Sequence, residues 1–355
     1  MQPIQASNYA VFFKENGFEA LNKNLSENKY SKILILVDEN TNEHCLPTIL
    51  PILETDLAIE IIELESGEEN KSIDTCIQVW NALIELGADR KSLIINLGGG
   101  VISDMGAFIA ATFKRGIAFI NIPTTLLAMV DASIGGKNGV DLGGLKNQIG
   151  TITNPEMVII NSDFLETLPQ NQMRSGLAEM LKHGLIADKN EWGKFRNLEA
   201  IDFLDFDEFI KKSIQIKNNI VTQDPTENGI RKALNFGHTI GHAIETYFLE
   251  NPNKTNLLHG EAIAAGMVME SYIAFQKNLI SKEEYLDIKK VLNNLFGIIE
   301  INENEVGEIM NLLIHDKKNE YNKVQFALLN EIGNIIINQH TENDIIIQSF
   351  TDYKN

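Results

Sequence analysis

Short apolar runs alternate with amphipathic segments in the first half of the chain. The runs at residues 32–37, 93–97, 118–122 and 157–160 are rich in strand-forming residues. Between the first two, apolar residues over 72–87 recur at helical spacing. Strand and helix therefore alternate, which predicts a doubly wound α/β sheet with parallel strands.

The pattern changes to helices after about Ser162. Apolar residues recur at three- and four-residue spacing over 163–186, 206–220, 233–249, 261–276, 282–295 and 303–314. A chain of 355 residues also exceeds the length at which one hydrophobic core usually stops growing. We therefore predict an α/β domain over residues 1–162 and an all-α domain over residues 163–355.

The composition of the chain argues against some classes of binding partner. Hydrophobic residues make up 44% and charged residues 22%, as in globular proteins. A net charge of -19 without a basic run argues against nucleic acid. No apolar stretch approaches the ~20 residues of a membrane span, and the amino terminus lacks a secretory pattern, so we expect a cytoplasmic protein without membrane contact. The two cysteines, Cys45 and Cys76, are expected to be packing residues.

Glycines mark a candidate nucleotide site. Gly98, Gly99 and Gly100 follow the run at 93–97 and precede a predicted helix, where backbone amides can meet a pyrophosphate. The pattern departs from Gly-x-Gly-x-x-Gly, so a plain tight turn is the alternative. Thr124 and Thr125 follow another strand, at the edge where open sheets bind ligands.

Three of the seven histidines fall close together in the second half. His238 and His242 are four residues apart on a predicted helix and hence share a face, a spacing that suits a divalent metal. His259 follows in Leu258-His-Gly-Glu261. Spacing alone nominates His238 and His242 as a ligand pair, whereas a lone histidine on an apolar face would more often be a core residue.

Taken in order, the motifs resemble the signature of 3-dehydroquinate synthases, which are sugar phosphate cyclases. The matching segments are the triple glycine with Asp104, Lys114-Arg-Gly116, Pro123-Thr-Thr-Leu-Leu127, Val130-Asp-Ala-Ser-Ile-Gly-Gly-Lys137, Lys146-Asn147, Ser175-Gly-Leu-Ala-Glu179 and Asp316-Lys-Lys318. The resemblance covers nearly the whole chain. It implies a Rossmann-like NAD-binding domain, an α-helical zinc- and substrate-binding domain, and a homodimer.

The resemblance also implies an activity in the shikimate pathway of aromatic amino acid biosynthesis. A carbon–oxygen lyase of this family converts 3-deoxy-D-arabino-heptulosonate 7-phosphate to 3-dehydroquinate and phosphate. The steps are transient oxidation by NAD, phosphate elimination, re-reduction and intramolecular aldol closure. Two alternatives stay open: another sugar-phosphate cyclase, acting on a neutral sugar phosphate, and a polyol or glycerol-phosphate dehydrogenase, which would release NADH stoichiometrically.

Residue roles follow from the same resemblance. It implies a Zn²⁺ site, with Co²⁺ as the alternative metal, whose ligands are Glu179, His238 and His259 rather than the His238–His242 pair. The implied catalytic or substrate-binding residues are Lys137, Lys182, Asn235, His242, Arg231, Lys217, Asn147, Arg115 and Asp131, with Arg115 expected to reach a neighbouring subunit. The implied NAD-binding residues are Asp38, Asn40, Glu68, Lys71, Gly99, Gly100, Val101, Ile102, Ser103, Asp104, Thr124, Thr125, Lys137, Lys146, Phe164, Leu165, Glu166 and Thr167.

Four residues depart from the family pattern. Ser103, Asn138 and Ala132 stand where the family more often has Gly, Thr and Ser, and these small exchanges affect the expected cofactor edge. Pro225 replaces a frequent acidic residue. The sequence offers no physical reason for that last change.

Overall fold

The computed structural model describes residues 1–143, 145–196, 206–315 and 324–355. They form two compact units, Met1–Pro169 and Gln170–Asn355. The 3-10 helix Ser162–Thr167, which spans the boundary predicted at 162/163, belongs to the first unit. The motif Asp316-Lys-Lys318 lies outside the described residues.

The first unit is an α/β layer structure. Its strands are β1 (Ile4–Gln5), β2 (Ala10–Phe13), β3 (Ile33–Asp38), β4 (Ile59–Leu64), β5 (Leu93–Gly98), β6 (Ala118–Pro123), β7 (Lys137–Leu142), β8 (Leu145–Ile152) and β9 (Met157–Ile160). Seven of them form one sheet in the order β1-β2-β9-β6-β5-β3-β4. Strand β1 pairs antiparallel with β2, and the other pairings described within this sheet are parallel. Strands β7 and β8 form a separate antiparallel hairpin.

Helices return the chain between the strands. They are α1 (Lys14–Glu27), α2 (Glu39–His44), α3 (Leu46–Ile49), α4 (Ile73–Glu85) and α5 (Gly100–Thr112). Strands β3 and β5 are buried along nearly their whole length, as expected where helices cover both faces of a parallel sheet. Both cysteines are buried, and burial raises the pKa of each thiol to about 12, which fits packing residues.

The second unit is mainly helical. Its helices are α6 (Gln170–Ala187), α7 (Lys189–Phe195), α8 (Phe206–Gln223), α9 (His238–Glu250), α10 (His259–Gln276), α11 (Lys282–Phe296), α12 (Glu303–His315) and α13 (Asn343–Lys354). Helix α10 is buried almost all round and packs against α6, α9, α11 and α13. A helix that is apolar on every side occupies the centre of a helical unit in this way.

Two features of this unit differ from the sequence prediction. The helix expected over 233–249 is interrupted, because a 3-10 helix (Ile230–Asn235) ends before Gly237, whose φ of 77° only glycine adopts readily, and α9 starts at His238. In addition, β10 (Phe326–Glu331) and β11 (Asn334–Gln339) form a hairpin beside the helices. Within the described residues, no helix is both long and apolar enough to span a membrane.

Candidate active site

The candidate cofactor residues of the first unit gather at one edge of the sheet. Each lies at the carboxyl end of a strand or in the segment after it: β3 (Asp38, Asn40), β4 (Glu68, Lys71), β5 (Gly99, Gly100, Val101, Ile102, Ser103, Asp104), β6 (Thr124, Thr125) and β9 (Phe164, Leu165, Glu166, Thr167). Because these strands are parallel, their carboxyl ends share that edge. Strand order reverses between β3 and β5, since β4 lies on the far side of β3. Open α/β sheets bind ligands at such a switch point.

The turn between β5 and α5 requires glycine for steric reasons. A Cβ on Gly98 would lie 2.5 Å from Ile102 Cβ. Within α5, a Cβ on Gly106 would lie 2.0 Å from Asn96 Oδ1, so glycine also lets this helix pack closely on β5. The Thr124 amide donates to Gly98 O at 3.0 Å, which holds the turn against the end of β6. The N-cap residue of α5 is Gly99, which has no side chain to cap the helix. An uncapped helix start beside a glycine turn can accept the pyrophosphate of a dinucleotide.

A buried ion pair stands beside this turn. Lys71 is only 4% exposed, and its Nζ donates to Asp104 Oδ2 at 2.6 Å and to Asn147 Oδ1 at 2.9 Å. Lys146 Nζ lies 3.2 Å from Glu68 Oε1. Burial lowers the pKa of Lys71, but Asp104 and the other nearby carboxylates outweigh it, so this pKa stands well above its ordinary value. Lys71 therefore stays charged and ties the β7–β8 hairpin to α5.

The remaining candidates of this unit lie in three places. Asp131 is in the π-helical turn Ala128–Ala132 that follows the two threonines, and Lys137 is exposed at the start of β7. Arg115 is exposed, with a φ of 72°, just after α5. Because α5 runs back from the carboxyl edge of the sheet, Arg115 lies near the amino ends of the strands. The first unit therefore does not bring Arg115 together with its other candidates.

In the second unit, small residues let α6, α9 and α10 approach closely. A Cβ on Gly260 would lie 2.4 Å from Ser175 Cα, and a Cβ on Gly266 would lie 2.0 Å from Gly237 O. A Cβ on Gly241 would also lie 2.9 Å from the backbone oxygen of Ala262. Any side chain at these positions would force the helices apart. Their close approach brings one candidate ligand from each helix to the same point.

Glu179 of α6, His238 of α9 and His259 of α10 converge there. Glu179 Oε1 lies 3.5 Å from His238 Nε2 and 3.7 Å from His259 Nε2. The Glu179 side chain is completely buried, and its Oε2 contacts Lys182 Nζ. One carboxylate and two imidazoles form the donor set of a catalytic zinc site with open coordination positions.

Polar contacts of the Nδ1 atoms orient the imidazoles of His238 and His259. His238 Nδ1 donates to Phe236 O at 3.1 Å, and His259 Nδ1 lies 3.3 Å from Glu245 Oε2. Such partners orient a ligating ring so that Nε2 faces the metal. Burial lowers the pKa of His259, but Glu245 and Glu179 outweigh it and raise this pKa to about 9. A metal therefore has to displace a proton from His259 at neutral pH.

His242 stands as close to this group as its members stand to each other. Its ring centroid is 5.1 Å from that of His238 and 5.7 Å from that of His259, and the three rings could hold a metal by themselves. Geometry among the imidazoles thus leaves the His238–His242 pair open as an alternative. The contacts of Glu179 Oε1 with His238 and His259 favour the mixed ligand set.

The other substrate candidates surround a loop that Asp224 organises. The Asp224 carboxylate accepts from the amides of Asn228 at 3.0 Å, Gly229 at 2.7 Å and Arg231 at 3.0 Å. Arg231, which is only 3% exposed, donates from Nη1 to Pro225 O at 2.7 Å. The loop therefore fixes both ends of the arginine.

Asn235, Lys217 and Lys182 complete the candidates of the second unit. Asn235 Nδ2 donates to Glu227 Oε1 at 2.8 Å. Lys217 is buried on α8, although its polar sequence neighbours fit a solvated charge, and Lys182 is buried on α6. A buried amine needs a charged or polar partner, so a buried lysine is a stronger candidate for a site residue than an exposed one.

Two family models match consecutive parts of the chain. The model of the 3-dehydroquinate synthase N-terminal region matches residues 61–175, and that of the C-terminal region matches residues 176–319. A curated 3-dehydroquinate synthase of Parabacteroides distasonis is 41% identical over 332 residues, which cover 93% of each chain. The chain belongs to the 3-dehydroquinate synthase family. The family prediction is thereby confirmed.

Two solved structures share the fold of this chain. A 2-deoxy-scyllo-inosose synthase complexed with carbaglucose-6-phosphate, NAD⁺ and Co²⁺ is 24% identical, with a TM-score of 0.86 over 99% of each chain. A 2-epi-5-epi-valiolone synthase of Streptomyces hygroscopicus with NAD⁺ and Zn²⁺ bound is also 24% identical, with a TM-score of 0.86 over 100% of this chain and 99% of that one. The predicted fold class of an α/β unit and a helical unit is confirmed.

The structure explains most of the departures from the 3-dehydroquinate synthase pattern. Ser133 Oγ donates to Ser103 Oγ at 3.1 Å. Asn138 Nδ2 donates to Gly136 O at 3.1 Å and to Thr153 O at 3.2 Å, which ties the base of the β7–β8 hairpin. Nothing in the structure explains Ala132.

Pro225 has a structural role that its sequence alone did not reveal. It comes two residues after α8 ends at Gln223, where a proline prevents the helix from continuing. Its carbonyl oxygen is the acceptor for Arg231. A proline at this position restricts the loop that holds a candidate substrate ligand of this 3-dehydroquinate synthase family member.

Sequence reasoning missed the carboxylates that support the site. Glu245, Asp224 and Glu270 each bond to the backbone or side chain of a candidate site residue or its neighbour. Glu245 lies on α9, the same helix as His238, but no role was predicted for it. Glu270 lies on the helix that follows, and only the folded arrangement of α9 and α10 connects it to the site.

Proposed function

We propose that this chain acts as a 3-dehydroquinate synthase through Glu179, His238 and His259 as metal ligands. The observation that carries the proposal is the position of Glu179 Oε1, within 3.7 Å of both Nε2 atoms. The substrate would be 3-deoxy-D-arabino-heptulosonate 7-phosphate, a sugar-acid phosphate. The products would be 3-dehydroquinate and phosphate.

The residues present fit both cofactors of the family. The donor set of one carboxylate and two oriented imidazoles suits Zn²⁺ or Co²⁺. The glycine turn and the carboxyl edge of β3 and β5 suit NAD. When bound, NAD supplies a reversible hydride acceptor, and the metal supplies a Lewis acid.

The chain's own residues would bind and orient the substrate. Lys182, buried beside Glu179, places a positive charge next to the ligand carboxylate and can contact a substrate oxygen. Arg231 and Lys217 would hold the substrate carboxylate, since both are buried cations. Asn235 is anchored by Glu227 and can hydrogen-bond a hydroxyl.

Phosphate loss needs cations and a proton near the leaving group. His242 sits beside His238 and His259, so it can act at the phosphate side if it is not a ligand. Lys137, Asn147 and Asp131 of the first unit are further candidates for substrate contact. Lys71, Asp104, Glu68 and Lys146 would order the cofactor edge.

Catalytic use of NAD is the first expected result. Because the hydride is returned in each turnover, many phosphate ions should be released per NAD while the absorbance of free NADH stays near zero. The assay uses the heptulosonate phosphate with NAD far below the substrate concentration. Accumulation of NADH in step with turnover would instead indicate the dehydrogenase alternative.

Arg231→Lys is expected to lower kcat/KM roughly ten- to hundredfold. A guanidinium has five N–H donors in a planar fork, so it can donate to Pro225 O and still pair with a carboxylate through two parallel hydrogen bonds. An ammonium has three donors on one nitrogen and lacks this planar geometry. Loss of a charge-assisted hydrogen bond in a desolvated site costs on the order of 1.5–3 kcal/mol.

A substrate analogue without the carboxylate is the control for the Arg231 experiment. If Arg231 binds the substrate carboxylate, kcat/KM for the analogue should fall little in the variant, because the analogue already lacks that interaction. A general disturbance of the Asp224 loop would reduce kcat/KM equally for both compounds. Equal losses would reopen the neutral-sugar cyclase alternative.

We also propose a cytoplasmic homodimer. The exposure of Arg115, away from the other candidates of its unit, supports a role at a neighbouring subunit. Light scattering on the purified protein should give twice the mass of 39.7 kDa. A monomer with full activity would contradict the assignment of Arg115.

A further inference from the structure

We propose that Glu270 is a positioning residue for the metal site, because its buried carboxylate caps the start of α9 and fixes the backbone that carries His238. This inference rests on the proposed function, since it concerns the metal site which that function requires. Glu270 lies on α10, the same helix that begins with His259.

Helix α9 has no capping group of its own. Its N-cap residue is Gly237, which has no side chain and adopts a φ of 77°. The first amides of a helix lack intrahelical acceptors, and usually a Ser, Thr, Asp or Asn at the N-cap supplies one. The acceptor for α9 therefore has to come from elsewhere.

Glu270 supplies that acceptor from the neighbouring helix. Its Oε2 accepts from the Gly237 amide at 2.7 Å, and its Oε1 accepts from the Ile240 amide at 3.1 Å. The Glu270 side chain is completely buried. A carboxylate at a helix amino terminus is favoured by the helix dipole, and its hydrogen bonds are charge-assisted. The two amides bracket His238 in the sequence.

One peptide unit connects Glu270 to the ring of His238. The Gly237 amide that donates to Glu270 belongs to the same planar peptide as Phe236 O, which accepts from His238 Nδ1 at 3.1 Å. Rotation of this peptide would therefore break both bonds together. Because a carbonyl oxygen only accepts, the neutral ring carries its proton on Nδ1, and Nε2 is left to bind a metal.

The two ligand-bearing helices support each other reciprocally. Helix α9 carries the ligand His238 and the carboxylate of Glu245, which orients His259 of α10. Helix α10 carries His259 and the carboxylate of Glu270, which fixes the start of α9. Gly266, one turn before Glu270, permits the close contact with Gly237 O that makes this reach possible. The relative position of the His238 and His259 imidazoles therefore depends on both carboxylates, Glu245 of α9 and Glu270 of α10.

Glu270→Gln tests the proposal with little change of shape. A carboxamide can accept with only one of its two outer atoms, so one of the two amides would face an NH₂ group. We expect the metal-free variant to bind Co²⁺ about 10- to 100-fold more weakly than wild type, the usual effect of removing a residue that orients a ligand. The affinity is measured by competition with a chelating indicator.

The visible spectrum of the Co²⁺-loaded protein is the second readout. If the His238 ring turns, the cobalt bands should change position or intensity, which a loss of overall stability would not cause. Ser271→Ala is the matched control, because Ser271 is also buried on α10 but its Oγ has no partner within the described residues. That variant should keep the wild-type affinity and spectrum.

Other outcomes would overturn the proposal. Wild-type affinity and spectrum in Glu270→Gln would mean that the cap does not position the ligand, and equal weakening in Ser271→Ala would indicate a general packing effect. If Glu270→Gln does not fold, Glu270→Asp is the deciding variant, since it keeps the charge but has a shorter side chain. Wild-type Co²⁺ affinity and a wild-type spectrum in Glu270→Asp would also contradict the proposal. Failure of the proposed function appears differently, as a wild-type protein that does not bind Co²⁺.

Discussion

Glu179→Gln, His238→Ala and His259→Ala are each expected to leave the purified protein without stoichiometric zinc and without measurable phosphate release. Replacement of residues that only orient ligands costs roughly 10- to 100-fold in metal affinity, so loss of a direct ligand should cost more than about 100-fold. Activity should fall to the same extent or further, because the metal supplies the Lewis acid. Metal content is measured by elemental analysis after dialysis.

Glutamine rather than alanine is the informative change at Glu179. The carboxylate is completely buried and contacts Lys182, which is also buried. Alanine would leave the buried amine of Lys182 without the carboxylate of Glu179, at a cost of roughly 3–5 kcal/mol. Glutamine keeps an acceptor for that amine but is a poor zinc ligand, so loss of metal is separated from loss of fold.

His242→Ala is the control that decides between the two ligand sets. The rings of His238, His242 and His259 are nearly equidistant, with centroids 5.1, 5.4 and 5.7 Å apart. With Glu179 as a ligand, His242→Ala should retain zinc and lose only rate. If zinc is lost from His242→Ala but kept in Glu179→Gln, the three imidazoles are the ligands instead.

The sequence predicted those strands whose environment is simplest. Strands β3, β5, β6 and β9 are almost entirely buried in the parallel sheet, so each reads as a mostly apolar run. Two polar exceptions, Asn96 of β5 and Asn121 of β6, hydrogen-bond to each other. Strand β4 lies at the sheet edge, where its sequence Ile-Glu-Ile-Ile-Glu-Leu has a weaker pattern, and it was not identified. The β7–β8 hairpin contains Lys, Asn, Asp and Gly and also lacked a strand signal.

The start of α9 shows the limit of helical periodicity. Apolar spacing continues smoothly across residues 233–249, so a single helix was expected. The break occurs because Gly237 takes a positive φ and packs its oxygen against Gly266 of another helix. This break is what makes His238 the first residue of α9 and exposes its preceding amide to Glu270.

The residues of the candidate site that belong to sequence motifs could be predicted. Glu179, His238 and His259 were named from the family resemblance, and the fold brings them together. Glu245 and Glu270 were not assigned roles, because their partners lie on a different helix and their reach depends on how close the helices pack. That distance is set by contacts such as Gly266 with Gly237, which no local pattern encodes.

Separate replacement of Lys71 and Asp104 is expected to destabilise the protein far more than joint replacement. Lys71→Met leaves the Asp104 carboxylate without its cation, and Asp104→Leu leaves the Lys71 ammonium in a site that is only 4% exposed. Breaking such a buried pair on one side lowers the free energy of unfolding by roughly 3–5 kcal/mol, whereas replacing both members with apolar residues is often close to neutral. Urea unfolding of the two single variants and the double variant measures the coupling.

Measurement of NAD affinity distinguishes a structural role of the Lys71–Asp104 pair from a role in cofactor binding. If Lys71 and Asp104 order the cofactor edge, the double variant should recover most of its stability and still bind NAD weakly in calorimetry, because neither charged side chain remains to meet the cofactor. Glu27→Gln is the matched control: it breaks the exposed pair Lys23–Glu27 in the same unit, whose members are 73% and 65% exposed. Exposed pairs contribute only about 0–1 kcal/mol, so neither stability nor NAD affinity should change appreciably. A double variant with wild-type affinity for NAD would remove Lys71 and Asp104 from the cofactor site, and a stability loss equal to the sum of the single losses would show that they are not coupled.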